Sequence, residues 1–155
     1  MAHMVETMAY AGELPWHGLG VKVIDDLTPE QMMQKAGVDW SVEKQDLITS
    51  GGSTVSNKQA LVRSSDGSVL DVVGKGWNPV QNADAFNFFE EYVRAGDMQM
   101  HTAGSLNDGK MVWALAKANE SFELFNGDVT ENYFLFSNPH AVSYTHLTLP
   151  TTSMV

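Results

Sequence analysis

Gln99-Met100-His101-Thr102-Ala103-Gly104-Ser105-Leu106-Asn107-Asp108-Gly109-Lys110-Met111-Val112-Trp113-Ala114-Leu115-Ala116-Lys117-Ala118 is the stretch that decides the fold class. Two strand-like runs flank Asn107-Asp108-Gly109, and an Asp-Gly pair tolerates the positive φ of a tight turn. Residues 99–106 and 110–118 therefore read as an antiparallel hairpin. The same logic recurs upstream, where 55–63 runs into Ser64-Ser65-Asp66-Gly67 and returns through 69–73. Between the hairpins, Asn82 or Asp84 is placed to cap a helix over 83–94 that ends at Gly96. Phe86, Phe89 and Val93 share one face of it, with Phe88 and Tyr92 beside them.

Working outward, Thr28, Pro29 and Gln31 form a capping-box start for a helix over 29–36, closed by Gly37. Residues 40–48 alternate apolar and polar positions like a half-buried strand. Residues 10–24 are punctuated by Gly12, Pro15, Gly18 and Gly20 until a short strand at 21–24. Past the second hairpin, a short strand at 122–125 and an Asn126-Gly127-Asp128 turn lead to Tyr133-Phe134-Leu135-Phe136, which reads as a fully buried strand. The expected class is α+β: antiparallel β-hairpins packed with two short-to-medium helices.

The chain has 155 residues, a net charge of −10, 43% hydrophobic residues and no cysteine. That is the length of one domain with a core of its own, and it rules out disulfides and thiolate metal sites. Its apolar runs are far shorter than the roughly 20 residues of a membrane helix. The start lacks the basic and apolar segments of a secretory signal, so a cytoplasmic protein without membrane contact is expected. The nine cations are scattered singly, which works against nonspecific attraction to phosphate backbones.

The ending is of a different kind. Val142 to Thr151 carry no charge and no clean periodicity, and GTC TCT TAT ACA CAT CTG ACG CTG CCG ACG translates to those ten residues in order. That string resembles the transposase-adapter end of sequencing libraries. We therefore expect 1–140 to be the authentic domain, cut near His140, and 141–155 to be an adapter-derived, non-native tail. If the strand at 133–136 normally pairs with one from a missing half, its open edge would promote self-association.

Several motifs stand in a fixed order: Met1-Ala2-His3, Pro15-Trp16-His17-Gly18-Leu19-Gly20, Val73-Gly74-Lys75-Gly76-Trp77-Asn78-Pro79-Val80-Gln81-Asn82 with Ala85-Phe86, Ala103-Gly104-Ser105-Leu106, and Tyr133-Phe134-Leu135-Phe136-Ser137-Asn138-Pro139-His140. Over about 1–140 this order resembles the phage/plasmid-like protein family, bacterial domain of unknown function number nine-three-two. The resemblance implies an amino-terminal half of a longer domain, genes carried by phages, plasmids and integrated elements, and no established reaction. The family pattern usually has serine in place of Pro139 and an acidic residue after His140.

Candidate binding residues are Trp16, His17, Gly18 and Gly20, where an aromatic, an imidazole and flexible glycines bring backbone near a ligand. Lys75, Trp77, Asn78 and Gln81 are the others, in a glycine-flanked strand-to-helix connection that lacks the spacing of a phosphate loop. Asn82 is better explained as a cap. Each segment has a structural explanation as well: a turn with Trp16 in the core, and a plain connection. Trp40, Trp77, Trp113 and Phe134 could stack on single-stranded bases but are expected in the core. No catalytic residue, metal site or cofactor is expected, because no triad, HExxH or paired-carboxylate spacing occurs.

The leading expectation is a non-enzymatic binding protein contacting protein or nucleic acid. An alternative is an enzyme of unknown reaction, with His17 meeting Asn78, Gln81 or His101 in one pocket. A third is an acidic DNA mimic or inhibitor, which the dispersed carboxylates disfavour.

Overall fold

The structure is a computed structural model that describes residues 5–12, 20–24, 26–123 and 129–141. Among these residues eight strands and three short helices follow in chain order: β1 (Val5–Ala11), β2 (Val21–Val23), α1 (Pro29–Lys35), β3 (Val42–Ile48), β4 (Thr54–Arg63), β5 (Val69–Gly74), α2 (Asn82–Asn87), α3 (Glu90–Arg94), β6 (Met98–Leu106), β7 (Met111–Glu123) and β8 (Val129–Pro139). They form a five-stranded sheet in the order β2-β1-β6-β7-β8 and a three-stranded sheet in the order β3-β4-β5. This is the expected α+β class. Among the described residues no helix is long and apolar enough to cross a membrane.

Both expected hairpins form. Asn107, Asp108 and Gly109 take φ of 50°, 56° and 89° between β6 and β7. Gly67, at φ 73°, turns β4 into β5. The cap of α1 is also as expected: Thr28 Oγ1 accepts from the Gln31 N–H at 3.1 Å, and Gln31 Oε1 accepts from the Thr28 N–H at 2.9 Å.

The larger sheet owes its packing to small side chains on one face. Ala9 stands opposite Ala103, and Ala103 opposite Ala114, so a floor of alanines crosses β1, β6 and β7. Met32, Met33, Phe86 and Phe89 from the helices fill the space above it, and Val42, Leu61, Leu70 and Val73 from the smaller sheet close the same core. Bulky groups against small ones are how facing layers interdigitate without voids.

Five readings are corrected. Strand β1 went unread. It pairs antiparallel with β6 and parallel with β2, partners it meets only in the folded chain. The single helix over 83–94 is two helices. Phe88 N–H bonds to Ala85 O and Phe89 N–H to Phe86 O, i→i−3 contacts that tighten the backbone between α2 and α3. Asn82 is no cap: Gln81 holds the N-cap position of α2, without a side-chain bond to the helix. The strand at 133–136 is not fully buried, since Phe134 is 49% exposed. β8 ends the sheet order among the described residues, so its far side lacks a neighbouring strand to cover it. Trp113 likewise is half-buried rather than in the core; it neighbours buried Ala114, and strand alternation turns it to the opposite face.

Candidate functional site

The 74–82 connection is built into the smaller sheet. Lys44 of β3 donates from Nζ to the Lys75 carbonyl at 2.7 Å and to Asn78 Oδ1 at 3.5 Å. Gln81 clips its side-chain amide to Val42, accepting from its N–H and donating to its carbonyl, each at 2.9 Å. Its side chain thus does what a strand backbone would do at the start of β3. Trp77 is half-buried against the core, with Nε1 enclosed and no partner. Lys75 is exposed, and the ammonium held at this loop is that of Lys44. Gly20, at φ 97°, packs against Met8 of β1. Trp16, His17 and Gly18 lie outside the described residues.

Behind this connection lies a polar chain that sequence reasoning missed. Asn82 sits fully buried in the first turn of α2 and donates from Nδ2 to the Val38 carbonyl at 3.0 Å and to the Trp40 carbonyl at 3.4 Å. Its Oδ1 is then an acceptor, so His140 Nε2, 2.7 Å away, carries the proton. Asn138 donates to the Val80 carbonyl at 2.8 Å and to Asn82 Oδ1 at 3.3 Å. The His140 ring lies 5.4 Å from that of Trp40, and the Arg63 guanidinium stands over the Trp40 ring, 5.3 Å from its centroid. Arg63 donates to both Glu6 oxygens, at 2.7 and 2.8 Å, and to Asp66 through Nε and Nη2. Ser105 Oγ donates to Glu6 at 2.9 Å, so the chain reaches β6. The hydrogen bond to Asp66 and the contact with Glu6 hold Arg63 charged against the opposing effect of burial. Asp66 is held well below the usual carboxylate range by Arg63 and by Ser68.

His140 lacks such support. Burial pushes its proton affinity down from 6.5 to about 4, leaving a neutral imidazole whose Nδ1 is enclosed without a partner. In the unfolded chain the group titrates near 6.5, so between those values the unfolded state binds more protons. Its contribution to stability is therefore complete above pH 6.5 and lost as pH falls to 4, by about 3 kcal/mol. Denaturant midpoints measured between pH 7 and 4 should show this slope, and His140→Gln should remove it. A variant with the parental slope would place the responsible titration elsewhere.

With His17 outside the described residues, its expected meeting with Asn78, Gln81 or His101 lies outside them too. His101 lies on β6, in a cleft lined by Ala11, Gly12, Lys117, Glu131 and Tyr133 among others, and neither Asn78 nor Gln81 reaches it. His101 Nδ1 is 2.6 Å from Thr102 Oγ1.

Besides exposed aliphatic side chains such as Ile24 and Ile48, the surface carries an aromatic cluster. Phe88 stacks on Phe136 at 6.1 Å, meets Phe89 edge-on at 5.3 Å and lies tilted 5.8 Å from Tyr92, and Phe89 meets Phe136 edge-on at 6.3 Å. Phe89 is fully buried, whereas Phe88 is 53% and Tyr92 42% exposed. Phe134 lies two residues from Phe136 on the same face of β8. The break between α2 and α3 thus puts one phenylalanine inward and its neighbour outward. The surplus of aromatics beyond the inward stripe of buried Phe86 and Phe89 and half-buried Val93 was the available sequence signal. Asp84 and Glu91, both exposed, lie four residues before and three after Phe88.

Compared with known proteins, the sequence model of the family described as "Domain of unknown function (DUF932)" matches residues 69–150. No curated protein and no solved structure matches.

Proposed function

Because the chain belongs to the DUF932 family of domains of unknown function, whose description assigns no reaction, we propose on physical grounds that it is a non-enzymatic binding protein whose partner is another protein. The observation that carries this is the exposed aromatic face of Phe88, Tyr92 and Phe134, anchored on buried Phe89. Exposed aromatic clusters are costly in water and are enriched at the centres of protein interfaces. The flanking Asp84 and Glu91, with a net charge of −10, favour a basic partner that offers an apolar side chain. The setting we propose is that of phages, plasmids and integrated elements in the bacterial cytoplasm.

A nucleic-acid partner is disfavoured by the scattered cations.

The test is a chemical-shift titration with a Lys/Leu amphipathic helical peptide and, separately, with labelled single-stranded DNA. The peptide should perturb Phe88, Tyr92 and Phe134 first, and a Phe88→Ser/Phe134→Ser variant should weaken it more than about tenfold. Retention of the DNA in a salt-dependent manner, or peptide shifts away from this face, would sink the proposal.

A further inference from the structure

The face of the larger sheet opposite the alanine floor holds the cleft already met at His101, with a volume of about 520 Å³. That is within the range of small-molecule sites. Lys117 of β7 follows buried Ala116 and so projects away from the core, directly across from Tyr133 of β8. Lys117 Nζ donates to Glu131 Oε1 at 2.8 Å, and the Tyr133 hydroxyl donates to Glu131 Oε2 at 3.0 Å. The His101 ring meets the Tyr133 ring edge-on at 5.4 Å, giving the cleft an aromatic wall.

We propose that this cleft binds a small zwitterion of the α-amino acid class, whose carboxylate takes Lys117 and whose ammonium takes Glu131 in place of the bond these side chains make with each other. The argument is one of charge balance. A simple anion that takes Lys117 strips Glu131 of its cation, and a simple cation does the reverse. Either trades the one Lys117–Glu131 bond for a single new one, so little is gained, whereas a zwitterion trades that bond for two. A ligand carrying both charges inserts into the bridge and keeps every charge paired. The Tyr133 hydroxyl holds the second Glu131 oxygen in place during the exchange, and the Tyr133–His101 wall offers a surface to an apolar ligand side chain.

Calorimetric titration of the intact chain with glycine, phenylalanine, acetate and methylammonium tests this. Saturable binding is expected for both amino acids, tighter for phenylalanine, and for neither half-ligand alone. Lys117→Met and Glu131→Gln should each weaken phenylalanine more than about tenfold, since each deletes a charge-assisted bond. Because the pair is partly exposed, both variants should keep nearly the parental melting temperature, separating loss of binding from loss of fold. Acetate binding as tightly as phenylalanine, absence of saturation at millimolar amino acid, or unchanged binding in both variants would overturn the proposal.

Discussion

Replacing Asn82 by alanine is expected to cost about 4 kcal/mol, because buried polar groups left without partners lose about 1–3 kcal/mol each. The Val38 carbonyl loses its donor and the His140 Nε2–H its acceptor, while the Trp40 carbonyl and Asn138 lose their longer bonds. Asn82 starts α2, Val38 and Trp40 lead into β3, and His140 follows β8. One side chain therefore ties the smaller sheet, the helices and the end of the larger sheet together. Urea denaturation should show a lower midpoint with an unchanged m value. A loss under 1 kcal/mol would mean that water replaces the amide at little cost. Asn82→Asp discriminates further. It keeps an acceptor for His140 but removes the donor to Val38, and a carboxylate beside the imidazole should raise the proton affinity of His140.

The second large effect concerns Gly104. A Cβ there would run into the Thr7 carbonyl oxygen and would also stand 3.1 Å from Met8 Cα and 3.2 Å from Met8 Cβ. These are backbone and near-backbone atoms, so no rotamer change relieves the contact. Gly104→Ala should therefore force β1 away from β6 and cost about 3 kcal/mol or more. β1 buries Met8, Ala9, Tyr10 and Ala11, which makes the strand worth more than its own hydrogen bonds. Hydrogen exchange should show lost protection across β1 and in the β6 amides facing it. Gly74→Ala is the control: a Cβ there meets nothing within 4 Å, and the backbone is not in the left-handed region. Equal stability of the two variants would show that the sheet absorbs the methyl by a general shift.

The candidate sites were legible in unequal measure. Phe88 and Tyr92 could be seen to lie beside the apolar stripe of their helix, but the stacking of Phe88 on Phe136 joins residues far apart in the chain. Lys75, Trp77, Asn78 and Gln81 were singled out from a glycine-flanked segment. Gln81 is the best anchored of them, although its partner is the backbone of Val42 rather than a ligand. His101, Lys117, Glu131 and Tyr133 showed no spacing signal because three strands contribute them, and only sheet register places them together.

Local chemistry in the sequence was enough for the elements whose causes lie within a few residues. The Thr28–Gln31 capping box, the Asn107-Asp108-Gly109 turn and the Asp66-Gly67 turn each specify φ, ψ and hydrogen bonds at short range. Tertiary structure alone decided the rest: the membership of β1 in the larger sheet, the inward turn of Asn82, the burial of His140 and the exposure of Phe134. Each of these depends on which groups become neighbours after chain closure. Desolvation, register and unsatisfied hydrogen bonds act between residues brought together from distant parts of the chain, as Asn82 and His140 are, and they override what a local pattern prefers.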